Sequence, residues 1–331
     1  MANVAVIGSG SWGTAISVAL ARSGHNVSLW SRRKEFTEQL MLERENKRYL
    51  PGTALDEHIS FTSDLSEACG KDLIVLATPS HTVREMARAL NSHINAGQVV
   101  VSISKGFDTE TRQRLSEVIK EEMPNARVAA MSGPSHAEEV ALAMPTMNVV
   151  ASAEGGVAEY IQSIFNSSSF RIYTSDDIIG VELGGSVKNV IALCAGICDG
   201  LGYGDNAKAA LITRGIAEIT RLGVAMGAKF ETFSGLSGIG DLVATCTSMH
   251  SRNRRAGILI GQGKTVKEAE DEIKMVVEGV KSAAAVYYLA ERYNVEMPIS
   301  REAYRVLYEG CDVKECLPRL MGRDAKPEIT R

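Results

Sequence analysis

The sequence predicts a doubly wound α/β fold, with a mainly parallel sheet in residues 1–176 and an all-α domain in residues 177–331. Three observations lead to this prediction. A short apolar segment at the N-terminus runs directly into a glycine-rich turn and a helical pattern. Strand-like and helical patterns then alternate as far as residue 174, which is typical of a parallel sheet with helices on both faces. Beyond that point helical patterns dominate and few strand signals remain.

The first strand and its turn form the strongest motif in the chain. Residues 4–8 are apolar and lead into Gly8-Ser-Gly10-Ser-Trp-Gly13, a G-x-G-x-x-G pattern that opens a helical run over residues 14–22. Gly8 permits the tight turn, Gly10 lets the backbone come close to a pyrophosphate, and Gly13 lets the helix lie close to the strand. The motif predicts a Rossmann-like dinucleotide-binding site, with a purely structural strand–helix turn as the alternative.

The end of the second strand, which covers residues 27–30, bears on the choice of dinucleotide. An acidic residue there would bind the ribose 2′-hydroxyl of NAD, but the chain has Arg32, Arg33 and Lys34 and no acid until Glu35. Guanidinium groups suit a 2′-phosphate, so NADP is favoured and NAD stays possible. The alternative is a solvated basic start of a helix.

The remaining elements of the first half continue the alternation. Strand-like runs cover residues 59–62, 73–77, 99–102, 127–131, 148–152 and 170–174, and helical patterns cover residues 83–91, 112–122 and 157–165. Ligands of such sheets bind outside the carboxyl ends of the strands. We therefore expect the loops at residues 78–81, 104–107 and 132–136 to face the ligand.

Composition narrows the class of protein. The chain has 331 residues, enough for two domains, with 45% hydrophobic and 23% charged residues, as in ordinary globular proteins. A net charge of −4 argues against nucleic acid or an anionic membrane surface as the main partner. We find no leader and no uninterrupted apolar stretch long enough to span a bilayer, so we expect a cytoplasmic protein without membrane insertion. The six cysteines show no C-x-x-C or zinc spacing, so we expect no metal.

The second half reads as helices over residues 181–199, 207–227, 254–260, 266–272, 280–293 and 300–308. The first of them carries Lys188 in a small, apolar stretch that follows Gly184 and Gly185. Loss of hydration in such surroundings lowers the pKa of a lysine toward neutrality, as proton transfer requires. The glycines would let a ligand approach the helix closely. The alternative is a surface lysine on an amphipathic helix.

Two further clusters of polar residues in this half are candidates for catalytic or ligand-binding sites. Asp241 follows a Gly/Ser loop at a predicted helix start, where it either caps the helix or supports Lys188, and Thr245 shares its helix face. Ser251-Arg252-Asn253 opens another helix, and Arg, Asn and backbone N–H groups there suit a phosphate. A basic solvated turn is the alternative. The lone histidines His81, His136 and His250 are given no role in proton transfer.

Seven motifs in family order make the chain resemble the NAD(P)-dependent glycerol-3-phosphate dehydrogenases of the bacterial biosynthetic type. They lie at residues 8–15, 104–106, 132–137, 187–189, 238–241, 251–253 and 276–279. The resemblance covers nearly the whole chain. It implies reversible reduction of dihydroxyacetone phosphate to sn-glycerol 3-phosphate for glycerophospholipid synthesis, with no metal and commonly as a homodimer.

The resemblance also implies roles for individual residues. Lys188 would be the general acid–base residue, supported by Asp241 and Thr245, and Lys105 would polarise the substrate. The implied substrate-binding residues are Lys105, Gly133, Ser135, Lys188, Asn189, Asp241, Ser251, Arg252 and Asn253. The implied cofactor-binding residues are Gly8, Gly10, Ser11, Trp12, Gly13, Arg32, Arg33, Lys105, Ala137, Arg252, Val276 and Glu278.

Two other functions remain open at this point. A related 3-hydroxyacid or 6-phosphogluconate dehydrogenase also uses a helix lysine near an asparagine, but there the two are typically a helical turn apart, whereas Lys188 and Asn189 are adjacent. A module that senses NAD(P)H without chemistry would not need a lysine, an aspartate and an Arg-Asn loop together.

Overall fold

A computed structural model describes residues 1–68, 70–325 and 327–328. It contains ten strands in these residues. The strands are β1 (Asn3–Ile7), β2 (Asn26–Trp30), β3 (Glu45–Asn46), β4 (Leu50–Ala54), β5 (Ile59–Thr62), β6 (Leu73–Leu76), β7 (Val99–Ser102), β8 (Arg127–Ser132), β9 (Thr146–Ala151) and β10 (Phe170–Ser175). Eight of them form one sheet in the order β10-β9-β8-β7-β6-β1-β2-β5, and β3 pairs with β4 in a separate hairpin.

The large sheet confirms the predicted doubly wound, mainly parallel architecture. Every neighbouring pair in it is parallel except β8 and β9, which are antiparallel. Its central strands are apolar on both faces: in β1, Val4 and Val6 join one hydrophobic core, and Ala5 and Ile7 join another on the opposite face. This continuous apolar character is what a parallel sheet covered by helices on both sides requires.

Fifteen α-helices accompany the strands in the described residues. They are α1 (Ser11–Arg22), α2 (Lys34–Glu43), α3 (Leu65–Ala68), α4 (Val83–Asn91), α5 (Leu115–Glu122), α6 (Ala137–Ala141), α7 (Val157–Phe165), α8 (Ile178–Leu201), α9 (Gly204–Ala225), α10 (Asp241–Thr247), α11 (Arg252–Gly261), α12 (Val266–Ile273), α13 (Glu278–Arg292), α14 (Pro298–Tyr308) and α15 (Cys316–Met321). No strand follows β10 within the described residues, which confirms the all-helical second half.

Helix α8 is the centre of the helical half. By length and composition it could cross a membrane, although Lys188 interrupts its apolar run, so the expectation of no uninterrupted apolar stretch of that length is not contradicted. However, 78% of its apolar 18-residue stretch is buried inside the protein, because α9, α10, α11 and α13 pack around it. Its apolar residues therefore form the core of the helical half.

Glycines bring α8 and α11 into backbone contact. A Cβ on Gly196 would meet the carbonyl oxygen of Arg254, and one on Gly257 would meet that of Leu193. Gly200 and Gly261 repeat the arrangement one turn further along each helix. This close packing fixes the N-terminus of α11 beside the middle of α8.

The N-terminus of α8 is fixed by a capping carboxylate. Asp177 accepts a hydrogen bond from the backbone N–H of Gly180 at 2.9 Å, and its other oxygen accepts bonds from Lys229 N at 2.9 Å and Thr232 Oγ1 at 2.6 Å. The boundary between residues 176 and 177 stays a prediction, since the two halves share contacts across it.

Candidate active site

A cleft of about 900 Å³ lies between the sheet and the helical half. It opens at the carboxyl ends of β1, β6 and β7, where the sequence predicted the ligand. The predicted site residues that line it are Gly8, Gly10, Ser11, Trp12, Arg32, Arg33, Lys105, Ser135, Ala137, Lys188, Asn189, Thr245, Ser251, Arg252, Asn253, Val276 and Glu278. Gly13, Gly133 and Asp241 lie directly behind this lining, in contact with Gly8 or Lys105.

The glycine-rich turn has the geometry that a bound dinucleotide needs. Gly8 has φ of +122°, and a Cβ there would lie 2.8 Å from the carbonyl oxygen of Ala77. A Cβ on Gly13 would meet the carbonyl oxygen of Gly8. Gly10 precedes α1, and apart from its chain neighbours no described residue comes within 4 Å of its would-be Cβ or caps the helix with a side chain. The first N–H groups of α1 are thus open to an anion in the cleft.

Arg32 and Arg33 lie at the edge of the cleft that follows β2. The side chain of Arg32 is 57% exposed and forms an ion pair of 3.1 Å with Glu85. Arg33 lies over the ring of Phe36, 5.6 Å from its centroid. Both guanidinium groups are accessible, and an exposed ion pair such as that of Arg32 is weak enough to exchange for a phosphate.

Lys188 is buried in the middle of the site. Only 4% of the residue is exposed, and its Nζ donates hydrogen bonds to Asp241 Oδ1 and, at 2.5 Å, to Thr245 Oγ1. The alternative of a surface lysine is therefore wrong. Burial lowers the pKa of Lys188 to about 7, because its Coulomb attraction to Asp241 only partly offsets the lost hydration, and the charge of Lys105 lowers it further.

Asp241 binds two ammonium groups. Its Oδ2 accepts a hydrogen bond of 2.7 Å from Lys105 Nζ, and its Oδ1 accepts one from Lys188. Burial by itself raises the pKa of this carboxyl, but the charges of Lys105 and Lys188 outweigh it and hold the pKa below the ordinary value. Asp241 is the first residue of α10 and Gly240 the capping position, so the capping interpretation was wrong.

Lys105 reaches across from the sheet to the helical half. Besides Asp241, its Nζ contacts the carbonyl oxygen of Gly133 at 2.9 Å and Ser135 Oγ at 3.3 Å. Gly133 has φ of +145°, and a Cβ there would lie 2.5 Å from Asn148 Oδ1. The loop after β8 thus presents backbone and hydroxyl oxygens to the ammonium group.

The glycines that precede Lys188 do not face the cleft as we expected. A Cβ on Gly184 would meet the carbonyl oxygen of Ser237, and one on Gly185 would meet Ser132 Oγ. These glycines therefore admit neighbouring segments of the protein. Their effect is to let the loop before α10 and the end of β8 pack against α8, which brings Asp241 to Lys188.

The third predicted cluster is joined to α8 through its asparagine. Asn253 Nδ2 donates to Asn189 Oδ1 at 2.9 Å, and Asn253 Oδ1 accepts from the backbone N–H of Gly279 at 2.8 Å. Arg252 donates to the carbonyl oxygen of Val276 at 3.1 Å. Because these contacts hold the N-terminus of α11 rigidly, the interpretation as a solvated turn does not describe it.

The sequence did not single out Ser80, which links the two halves at the cleft. Ser80 Oγ donates to Glu278 Oε2 at 2.8 Å. Its position in an expected ligand loop was the only available signal. The rings of His136 and His250, which also line the cleft, are 5.6 Å apart, and burial lowers the pKa of His136. Among the described residues, no group of three or more His, Cys, Asp or Glu side chains is placed to hold a metal ion.

Comparisons with known proteins match this geometry to one family. Residues 3–158 match the N-terminal region of NAD-dependent glycerol-3-phosphate dehydrogenase, and residues 177–318 match its C-terminal region. The glycerol-3-phosphate dehydrogenase [NAD(P)+] of Moorella thermoacetica is 54% identical over 328 residues, covering 99% of this chain and 98% of that protein. The enzyme of the same name from Clostridium perfringens is 51% identical over 329 residues, with 99% of each chain covered.

A solved structure extends the match from sequence to fold. The crystal structure of glycerol-3-phosphate dehydrogenase from Coxiella burnetii is 39% identical and superposes with a TM-score of 0.94, covering 97% of this chain and 99% of that chain. The chain belongs to the NAD-dependent glycerol-3-phosphate dehydrogenase family.

Proposed function

We propose that the protein is an NAD(P)-dependent glycerol-3-phosphate dehydrogenase, which reversibly reduces dihydroxyacetone phosphate to sn-glycerol 3-phosphate for glycerophospholipid synthesis. One observation carries the proposal beyond family membership: a buried lysine with a pKa near neutrality lies in the cleft beside the dinucleotide turn. A ketone reduction needs such a proton donor at the carbonyl oxygen.

The cleft fits a nicotinamide dinucleotide. The positive φ of Gly8, the open N-terminus of α1 and the close approach at Gly13 form a cradle that side chains would fill. When bound, NAD(P)H supplies the hydride. Ser11 and Trp12, the first residues of α1, would contact the dinucleotide, as the family resemblance implies. Other lining residues proposed to contact it are Ala137, Lys105, Arg252, Val276 and Glu278.

Lys188 acts as the general acid in this proposal. With a pKa of about 7 it carries a transferable proton at neutral pH and can take one back in the oxidation direction. Asp241 and Thr245 fix the position of its Nζ through the two hydrogen bonds described above. Lys105, whose Nζ is already held by Asp241 and Ser135, would polarise the carbonyl from a second side.

The substrate phosphate would bind at the N-terminus of α11. Arg252 supplies a guanidinium group, Ser251 and Asn253 supply polar side chains, and Asn189 is held beside them by its amide contact. Gly133 and Ser135 would line the other side of the substrate. A phosphate bound away from the carbonyl provides binding energy that positions the reacting atoms.

For the cofactor, we propose a preference for NADP, with NAD also used. Arg32 and Arg33 are accessible at the end of β2, and no acid occupies the position that would bind a 2′-hydroxyl. Replacing both with Gln should raise KM for NADPH by about tenfold or more and leave KM for NADH nearly unchanged, because only NADPH bears the 2′-phosphate. Equal changes for both cofactors would reject the assignment.

The reaction is tested by following nicotinamide absorbance when the purified protein meets dihydroxyacetone phosphate with NADPH or NADH. Oxidation that requires the ketone phosphate is the expected result, and Lys188→Ala should lower kcat by about 10²–10⁴-fold with cofactor binding retained. Turnover only with a hydroxy acid would favour the related dehydrogenases. Cofactor binding without any turnover would favour a sensing module.

We also propose a cytoplasmic homodimer as the working form. Support comes from the family resemblance. Light scattering on the purified protein tests the dimer directly, and fractionation of the source cells tests the location.

A further inference from the structure

Helix α11 carries three arginines near its N-terminus, and among the described residues only two of their side chains have hydrogen-bond partners. Arg252 donates to the carbonyl oxygen of Val276 at 3.1 Å. Arg254 donates to Asp199 Oδ2 and to the carbonyl oxygen of Thr247, each at 2.7 Å. The guanidinium group of Arg255 forms no hydrogen bond or ion pair with any residue that the structure describes, although this half-buried side chain lines the cleft.

The unpartnered Nε of Arg255 lowers the stability of the folded protein. Its Nε is buried from solvent and has no acceptor among residues 1–68, 70–325 and 327–328. A buried donor without an acceptor costs on the order of 1–3 kcal/mol, and more when it is charged. Such a group in a native structure calls for an explanation, and a bound ligand is one of the few available.

Arg255 is also destabilising because its charge lies close to that of Arg252. Arg252 and Arg255 are three residues apart on one helix, so their side chains lie on neighbouring positions of the same face, where like charges repel. Burial lowers the pKa of Arg252, and the charge of Arg255 lowers it further, whereas Glu278 and Glu138 oppose the effect. An anion between the two guanidinium groups would offset this repulsion and give the terminal nitrogens of Arg255 an acceptor.

We infer that Arg255 is a second phosphate-binding residue of the cleft, acting with Arg252 on a phosphate group of the bound substrate or cofactor. Guanidinium groups bind phosphate oxygens through charge-assisted, often bidentate hydrogen bonds. The inference depends on the proposed function only for the identity of the substrate. The binding of a phosphate-bearing ligand to Arg255 does not require turnover.

A purely structural role makes a different prediction from a binding role. If Arg255 served only to pack its stem on the wall of the cleft, methionine would replace it, since methionine retains a long apolar side chain. If it binds phosphate, Arg255→Met loses the interaction and Arg255→Lys keeps the charge and part of the affinity. The Arg301→Met variant is a matched control, because Arg301 is an exposed arginine on α14 that does not line this cleft.

The experiment measures kcat and KM for dihydroxyacetone phosphate, NADPH and NADH in the full-length protein and these three variants. Direct titrations with NADPH, NADH and inorganic phosphate accompany it. We expect Arg255→Met to raise KM or Kd for at least one phosphate-bearing ligand by about tenfold or more, with a smaller change in kcat. Arg255→Lys should recover part of this loss, and Arg301→Met should match the unsubstituted protein.

The pattern of changes identifies the phosphate. A change confined to dihydroxyacetone phosphate assigns Arg255 to the substrate, equal changes for NADPH and NADH assign it to the pyrophosphate, and a change confined to NADPH assigns it to the 2′-phosphate. Unchanged constants for every ligand in Arg255→Met, with the fold intact by circular dichroism, would overturn the inference. If the protein did not reduce dihydroxyacetone phosphate at all, the titrations would still decide it.

Discussion

At the scale of single residues, the reactivity of this site depends on how charges are distributed in a buried space. Two ammonium groups, on Lys105 and Lys188, share the one carboxylate of Asp241. The attraction to Asp241 raises the pKa of Lys188 but does not make up for the hydration lost on burial. The second ammonium group removes part of that stabilisation, so burial determines the outcome and Lys188 titrates near pH 7.

This titration predicts opposite pH dependences for the two directions of the reaction. Ketone reduction needs protonated Lys188, so its kcat/KM should be constant at low pH and fall tenfold per pH unit as the pH rises above about 7. Alcohol oxidation needs the neutral amine, and its rate should rise over the same interval. Initial rates in both directions between about pH 5.5 and 9, with cofactor saturating, give the two pH profiles.

The Asp241→Asn variant tests whether Lys188 is the group whose titration sets these pH profiles. The negative charge of Asp241 raises the pKa of Lys188, so removing it should move the midpoint for ketone reduction to lower pH as well as lowering the rate. If the midpoint of the pH profile for ketone reduction were the same in Asp241→Asn, a group other than Lys188 would be titrating. Circular dichroism of the variant establishes that the fold is retained.

At the scale of elements, the parts predictable from sequence are those whose environment leaves a local pattern. The central strands of the sheet are apolar runs because both of their faces are buried, and all eight sheet strands were predicted within a residue or two of their bounds. The β3–β4 hairpin was missed because its Lys47, Arg48, Pro51 and Gly52 give no strand pattern. Lys188 was recognised because its chain neighbours are themselves buried.

What could not be predicted depends on contacts between distant segments. The glycines before Lys188 suggested room for a ligand, but only the fold shows that Ser237 and Ser132 occupy that space. The link from Ser80 to Glu278 spans 198 residues of chain and has no sequence signature. Gly196 and Gly257 were likewise unremarked, because tolerance of glycine within a helix does not reveal which helix packs against it.

The contact between α8 and α11 predicts a large effect of a small substitution. A Cβ on Gly257 would collide with the carbonyl oxygen of Leu193, so Gly257→Ala should lower the free energy of unfolding by about 1–3 kcal/mol despite the better helix propensity of alanine. Since α11 carries Arg252 and Asn253, KM for the phosphate-bearing substrate should also rise. Urea unfolding and steady-state kinetics measure the two effects.

A matched glycine separates collision from a general effect of alanine. Gly155 precedes α7 and has no positive φ, and apart from its chain neighbours no residue that the structure describes lies within 4 Å of its would-be Cβ. Gly155→Ala should leave the stability unchanged or slightly higher, since alanine restricts the unfolded chain. If both variants were equally stable, backbone contact between α8 and α11 would not be the constraint we describe.

At the scale of the whole molecule, the two halves are joined by buried polar contacts as well as by the chain. Glu182 on α8 accepts hydrogen bonds from Arg114 Nη1 at 2.7 Å and from the backbone N–H of Ser116 at 2.8 Å. Ser186 Oγ accepts from the backbone N–H of Gly106 at 2.9 Å. Together with the Lys105–Asp241 ion pair, these contacts complete the active site only when both halves are folded.

This coupling predicts that the protein unfolds in a single transition even though its length and sequence suggest two domains. Both tryptophans, Trp12 and Trp30, lie in the sheet half, so tryptophan fluorescence reports on that half, whereas circular dichroism at 222 nm is dominated by the long helices that follow β10. The two midpoints in urea should coincide.

The Glu182→Gln variant tests the same coupling, because it removes the negative charge that pairs with the buried Arg114. It should lower the free energy of unfolding by about 3 kcal/mol and move both urea midpoints down together. If fluorescence and circular dichroism gave separate midpoints, or if Glu182→Gln shifted only one of them, the halves would fold independently and the active site would be assembled by docking of preformed domains.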